Sequence, residues 1–140
     1  MSTEKNKDVA RRWAEEVWSK GNLSLIDELV TPDYVEHDPA TPEEVRGPEG
    51  VRHYIEAFRN ALPDMQLTVE DQVAEGEKVV TRWTARGTHR GEFMGIAPSG
   101  NRLEIAGMSI DRFSGGRFVE SWENYDALGM MQQMGAVPKP

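Results

Sequence analysis

The sequence predicts an α+β fold in which a curved antiparallel sheet covers a layer of N-terminal helices and encloses a pocket. Three observations carry this. Apolar residues up to about position 62 recur at three- and four-residue steps. From position 65 onward they alternate with polar ones, and the breaks between the alternating runs are short and mostly glycine-rich. Helices first and strands afterwards is the order of an α+β chain, and a curved sheet over a helix layer can enclose a pocket.

In residues 5–18, Val9, Ala10, Trp13, Ala14, Val17 and Trp18 lay one apolar stripe along a helix that Ser2 or Thr3 can cap. Gly21 reads as its left-handed stop. Asn22 or Ser24 then caps a second short helix through Val30, with Leu23, Leu25, Ile26 and Leu29 buried. Thr31-Pro32-Asp33 ends it, because proline fixes φ and biases its predecessor away from helix. A short extended piece follows at 34–37. Residues 38–50, rich in proline, glycine and acids, read as a loop or pocket rim, with Pro48 at the first turn of a third helix. That helix runs to about Leu62 on Val51, Tyr54, Ile55, Phe58 and Leu62, and Pro63-Asp64 closes it. Alternation then predicts strands at 65–71, 78–89, 102–113 and 117–125, joined as a meander through Glu75-Gly76-Glu77, residues 95–101 and Gly115-Gly116. A last helix is expected at 127–134 with Asp126 as its cap, before a tail at 135–140.

A chain of 140 residues fits one domain, 1–140, and its 38% hydrophobic and 29% charged content argues for a packed core against disorder. No apolar run nears the roughly 20 residues of a membrane span, and the polar start shows no secretory signal. With no cysteine, disulfides, thiolate zinc sites and cysteine nucleophiles are excluded, and the cytoplasm is the expected compartment. The net charge of −8 and the absence of a basic stripe argue against nucleic acid as a partner; no membrane partner is expected either. The three histidines, His37, His53 and His89, lack metal-ligand spacing, so no metal is expected. Serine elbows, phosphate loops and dinucleotide fingerprints are absent as well.

Polar residues cluster where a core-facing strand should be apolar. Thr81, Trp83 and His89 share one parity, as do Ser121, Glu123 and Tyr125. Such positions make a structural hydrogen-bond network or line a cavity, and parity alone leaves the inward face open. Beside Trp122 and Tyr125, a desolvated Glu123 would have a raised pKa suited to general acid or base work; an exposed strand glutamate is the alternative. His89, at the end of a long strand, could orient or protonate a substrate oxygen or be a satisfied rim histidine. His37 beside Asp38 and Pro39 reads as a turn anchor or a pocket group. Met94, Met108, Met130, Met131 and Met134 fill core gaps or give a deformable lining, and Trp83 and Trp122 are possible pocket walls.

The segments YVEHDP (34–39), GPEG (47–50), FRNALPD (58–64), GTHRGEFMGIAP (87–98), GRFVESWE (116–123) and QQMGAVP (132–138) resemble the SnoaL-like polyketide cyclase family, also called ester cyclases, of the nuclear transport factor 2-like superfamily. The resemblance spans nearly the whole chain. It implies a cone-like, cystatin-like α+β barrel with a deep apolar pocket, no cofactor, a small apolar or aromatic substrate, and a homodimer or higher homo-oligomer. It further implies that a pocket carboxylate acts as acid/base in an intramolecular aldol ring closure of a polyketide ester. Glu123 stands at that position, where the family usually shows aspartate, and His89 matches a pocket histidine. Ser121 stands where many relatives carry histidine. The expected site is therefore Glu123 and His89 as catalytic groups, with His37, Trp83, Phe93, Met94, Met108, Ser121 and Tyr125 as substrate contacts. A binding protein without turnover, an interaction module with a filled interior, and a hydrolase or hydratase, of epoxide hydrolase or dehydratase type, are the rival readings.

Overall fold

The computed structural model describes residues 2–41 and 43–138. Helix α1 (Thr3–Arg12) begins at Ser2, whose Oγ accepts from the Lys5 N–H at 3.1 Å. The expected single helix over 5–18 divides: from Trp13 to Ser19 the coil widens into a π-helical segment. It ends in an i→i+5 bond from the Lys20 N–H to the Glu15 carbonyl. The wider turn is held at its end by Arg59, which donates to the Trp18 and Ser19 carbonyls. Gly21, at φ +74°, lets the chain leave past that guanidinium, since a Cβ there would lie 2.9 Å from Arg59 Nε.

Helix α2 (Leu25–Leu29) leads into strand β1 (Val30–His37), which starts earlier than the sequence suggests. Pro32 sits within a register break of β1, where its missing N–H costs no ladder bond. The expected loop at 38–50 holds a two-residue strand, β2 (Val45–Arg46), and the start of α3 (Gly47–Ala61). The meander follows as β3 (Gln66–Glu75), β4 (Lys78–Thr88), β5 (Arg102–Ser114) and β6 (Arg117–Tyr125), and α4 (Ala127–Gln133) is capped by Asp126, which accepts from the Gly129 N–H at 2.8 Å.

The sheet order is β2-β1-β6-β5-β4-β3. The fold class is α+β as expected, with two corrections. β1 runs parallel to β6, so the sheet is mixed, and β2 and β3 stand at opposite edges, so the curved sheet is not closed into a barrel. The inner face packs on the helices in two apolar groups. One gathers Val17, Ile26, Val30, Val51, Ile55, Val79, Phe113 and Phe118, and the other Ala61, Leu62, Met65, Leu103, Met130 and Met134. At the end of β4, Asp64 accepts from both the Thr88 N–H (2.7 Å) and its hydroxyl (2.8 Å), tying the strand to the turn after α3. Among the described residues no helix is long and apolar enough to cross a membrane.

Candidate active site

Between the two apolar groups lies a cavity of about 820 Å³, its mouth included. Ala10, Trp13, Ala14 and Trp18 from the first helical segments and Tyr54 and Phe58 from α3 form one wall; the inner face of the sheet forms the other. The π-helical turn brings Trp13, Ala14 and Trp18 to that wall together. Phe58 stacks edge-on to Trp18, Tyr54 and Tyr125 with centroids 5.2–6.2 Å apart, which gives the cavity an aromatic rim.

The sheet wall is banded, and the cross-strand register shows how. Thr81 on β4, Ser109 on β5 and Glu123 on β6 stand opposite one another in one row. Asp111 on β5, Ser121 on β6 and Glu36 on β1 form the next. All six line the cavity as a polar band across four strands. Trp83 and Tyr125 flank the band on one side, opposite each other across Gly107. A Cβ at Gly107 would overlap the Trp83 ring and come within 2.8 Å of Tyr125 Cβ, so this glycine is what allows the indole to lie across β5. Phe118 closes the other side.

Three carboxyl groups therefore converge in a mostly apolar enclosure. Burial pushes Glu36 up to about 8, the charges of Asp111 and Asp38 add to the rise, and the bond from the Tyr34 hydroxyl opposes it. Tyr34 Oη donates to Glu36 Oε1 at 2.9 Å, while Oε2, also buried, has no partner among the described residues. Burial, then repulsion from Glu36, Asp111 and Asp38, holds Glu123 well above the ordinary carboxyl range, and the Trp83 indole N–H pulls the other way. Burial raises Asp111 to about 6 against a 2.6 Å bond donated by the Ser121 hydroxyl. Burial and mutual repulsion both disfavour ionisation of Glu36 and Glu123, so the cluster retains a proton near neutral pH. Tyr54 reaches past this group to donate to Asp38 Oδ2 at 2.8 Å. Among the described residues no group of three or more His, Asp or Glu is arranged to hold a metal ion.

Glu123, Trp83, Ser121 and Tyr125 are brought together in this wall. The other expected site residues stand elsewhere, each for a geometric reason. Met108 has the opposite parity to Ser109 on β5, so it is 53% exposed on the outer face. Met94 is exposed in the turn after β4. Phe93 is buried behind Phe58, with centroids 4.9 Å apart, and does not border the cavity. His37 points to the outer side, where it is stacked on Trp122 between Glu44 (3.1 Å) and Glu120 (2.8 Å). It lines a second, more open cleft with Asp38 and Trp122, which Glu123 borders as well. His89 is fully buried, and its Nδ1 meets both the N–H (3.2 Å) and the hydroxyl (2.9 Å) of Ser99. Its main chain bonds to Gly100 and Asn101. That makes it the anchor of the 89–101 loop, outside the cavity lining.

Glu36 and Asp111 are the residues that sequence reasoning missed. Their signal was available: Asp111 shares the parity of Leu103, Ile105 and Phe113, and Glu36 that of Tyr34, so each is an acid on an otherwise core-facing row.

Helices packed on a curved, unclosed sheet around an internal cavity place the protein in the nuclear transport factor 2-like fold class, which includes ketosteroid isomerase-like proteins. A protein of that description from Catenulispora acidiphila superposes with a TM-score of 0.79 at 15% identity, over 93% of this chain and 94% of its own. The chain belongs to the SnoaL-like polyketide cyclase family, whose sequence profile matches residues 8–134. Among similar solved structures, TsrD from Streptomyces laurentii is 29% identical over 98% of this chain and 99% of its own, with a TM-score of 0.86. IdmH from Streptomyces antibioticus, described as a candidate polyketide cyclase, is 35% identical over 93% of this chain and 98% of its own, with a TM-score of 0.79. No curated protein sequence matches the chain.

Proposed function

We propose that the protein is an enzyme that closes a ring within an apolar, polycyclic small molecule by an intramolecular aldol step, with carboxyl groups as base and acid. The observation that carries this is the meeting of Glu36, Asp111 and Glu123 on one wall of an aromatic-lined cavity. Glu36 and Glu123 share a proton as a coupled pair; in the form that has it on Glu36, the repulsion from Glu36 on Glu123 is gone and the Trp83 N–H favours the Glu123 carboxylate, and this is the reactive form. Glu123 then takes a proton from the carbon next to a carbonyl. The resulting enolate carbon attacks a second carbonyl of the same molecule, a C–C bond forms, and the new alkoxide takes the proton of Glu36. Because Oε1 of Glu36 accepts from Tyr34, that proton sits on Oε2, the oxygen without a partner. Asp111 adds negative charge that keeps the pair partly protonated. General acid/base catalysis of this kind supplies roughly 10²- to 10⁴-fold, and the cavity's alignment of the two carbonyls supplies the rest of a barrier reduction of about 8 kcal/mol or more.

The family match and the likeness to IdmH support this reading. The test is turnover of flat polycyclic ketones and their uncyclised methyl esters by wild type and Glu123→Gln. We expect a loss of at least about 100-fold in the variant. A loss of no more than twofold with an unchanged melting curve overturns the assignment, and equal ligand binding by both proteins without product reduces the function to binding.

The second carboxyl also favours one other chemistry, hydrolysis of an epoxide. Glu123 would take a proton from water as its oxygen attacks an epoxide carbon, and Glu36 would protonate the alkoxide released when the C–O bond breaks. A diol carrying oxygen from isotopically labelled water identifies that reaction.

A further inference from the structure

The polar band has an unpaired group at each end. One is Glu36 Oε2, already given a role; the other is the hydroxyl of Thr81, a residue only 5% exposed whose Oγ1 has no partner among the described residues. Thr81 faces the cavity from β4, beside Trp83. A buried hydroxyl without a partner costs stability, and a strand position facing an apolar core would ordinarily be held by valine, which has the same shape. Register places Thr81 two strands from Glu123, through Ser109, so the two side chains lie about 10 Å apart across the cavity wall.

We propose that Thr81 is a second recognition point: the substrate carries an oxygen acceptor about 10 Å from the carbon deprotonated at Glu123, and the Thr81 hydroxyl donates to it. This rests on the catalytic reading above and narrows its substrate class. A hydrocarbon with a single oxygenated end fills the cavity but leaves Thr81 unpaired. A molecule oxygenated at both ends pairs with Thr81 at one end and with Glu123 at the other, and is held in one orientation with its reacting carbon at Glu123.

The test uses a matched pair of probes, 4-hydroxy-4′-methoxybiphenyl and 4-ethyl-4′-hydroxybiphenyl, which differ only in an ether oxygen against a methylene. Their para substituents span about 10 Å, the separation of two strand spacings. Calorimetric Kd values are measured for wild type and Thr81→Val, with melting curves of both proteins without ligand. Wild type is expected to bind the methoxy compound about 3- to 10-fold more tightly, the effect of one neutral hydrogen bond. Thr81→Val is expected to lose or reverse that preference while melting no lower than wild type. The inference is overturned if the variant keeps the preference, if wild type shows none or binds neither probe, or if the variant melts lower, which would mean the hydroxyl is already bonded within the protein. Ring closure lost in Glu123→Gln alongside any of these results would leave the catalytic reading standing and remove only this one.

Discussion

Glu36→Gln tests the electrostatics of the cavity directly, because the substitution keeps an oxygen to accept from Tyr34 and removes only the ionisable proton. Glu36 rises from 4.5 to about 8 on folding, so between those values the folded protein binds more protons than the unfolded chain. The sign follows: this group's contribution is complete below about pH 4.5 and is lost as pH rises through 8, the reverse of a salt-bridged carboxylate. Each pKa unit is worth about 1.4 kcal/mol, which puts the full loss at about 5 kcal/mol and the part between pH 5 and 8.5 at about 4 kcal/mol. Urea unfolding of wild type and Glu36→Gln at pH 5, 7 and 8.5 measures it; the one other carboxyl that changes is Glu123, whose pKa falls once the Glu36 charge is gone, which favours the variant at high pH in the same sense. The stability difference, variant minus wild type, should climb in favour of the variant by about 4 kcal/mol across that range. A difference constant to within about 1 kcal/mol would show that Glu36 ionises freely in the folded protein and would refute the argument for a retained proton.

Two further substitutions probe how the fold holds the site. Gly107→Ala forces the Trp83 indole off β5, so it should cost about 1–3 kcal/mol, change the near-ultraviolet circular dichroism of the tryptophans and reduce turnover, whereas an unchanged spectrum would mean the ring was not held there. Asp64→Ala removes the acceptor of both Thr88 bonds and should cost about 1–2 kcal/mol at pH 7. Because the Thr88 N–H lowers the Asp64 pKa, the Asp64 contribution is present at neutral pH and disappears as pH falls through its depressed value. The penalty should therefore shrink in acid, and one that is the same at pH 2.5 and 7 would argue against the clamp.

Much of the architecture is written in local pattern. Helical spacing before position 62, alternation after 65 and the caps Ser2 and Asp126 describe contacts between residues close in the chain, and apart from the divided first helix, the earlier start of β1 and the short β2 the elements form where those signals put them. The parity of Ser121, Glu123 and Tyr125 likewise marked three residues that share one face. Alternation, however, says which residues lie together and not whether that face is inward. On β5 the parity of Leu103, Ile105 and Phe113 favoured Asp111 over Met108, and pairing with β6 then set Asp111 opposite Ser121 in the cavity wall. Local pattern also could not show that β1 would lie parallel to β6, because that pairing joins residues more than 80 positions apart. Yet this contact is what sets Glu36 beside Ser121 and completes the carboxyl cluster. The widened turn at Trp13–Ser19 depends in the same way on Arg59, some 40 residues distant. Local pattern thus carried most of the elements, the family and an acid among aromatics on β6. Tertiary structure alone decided that this acid has two buried partners, because the repulsion and desolvation that tune them arise only when separate strands close around one space.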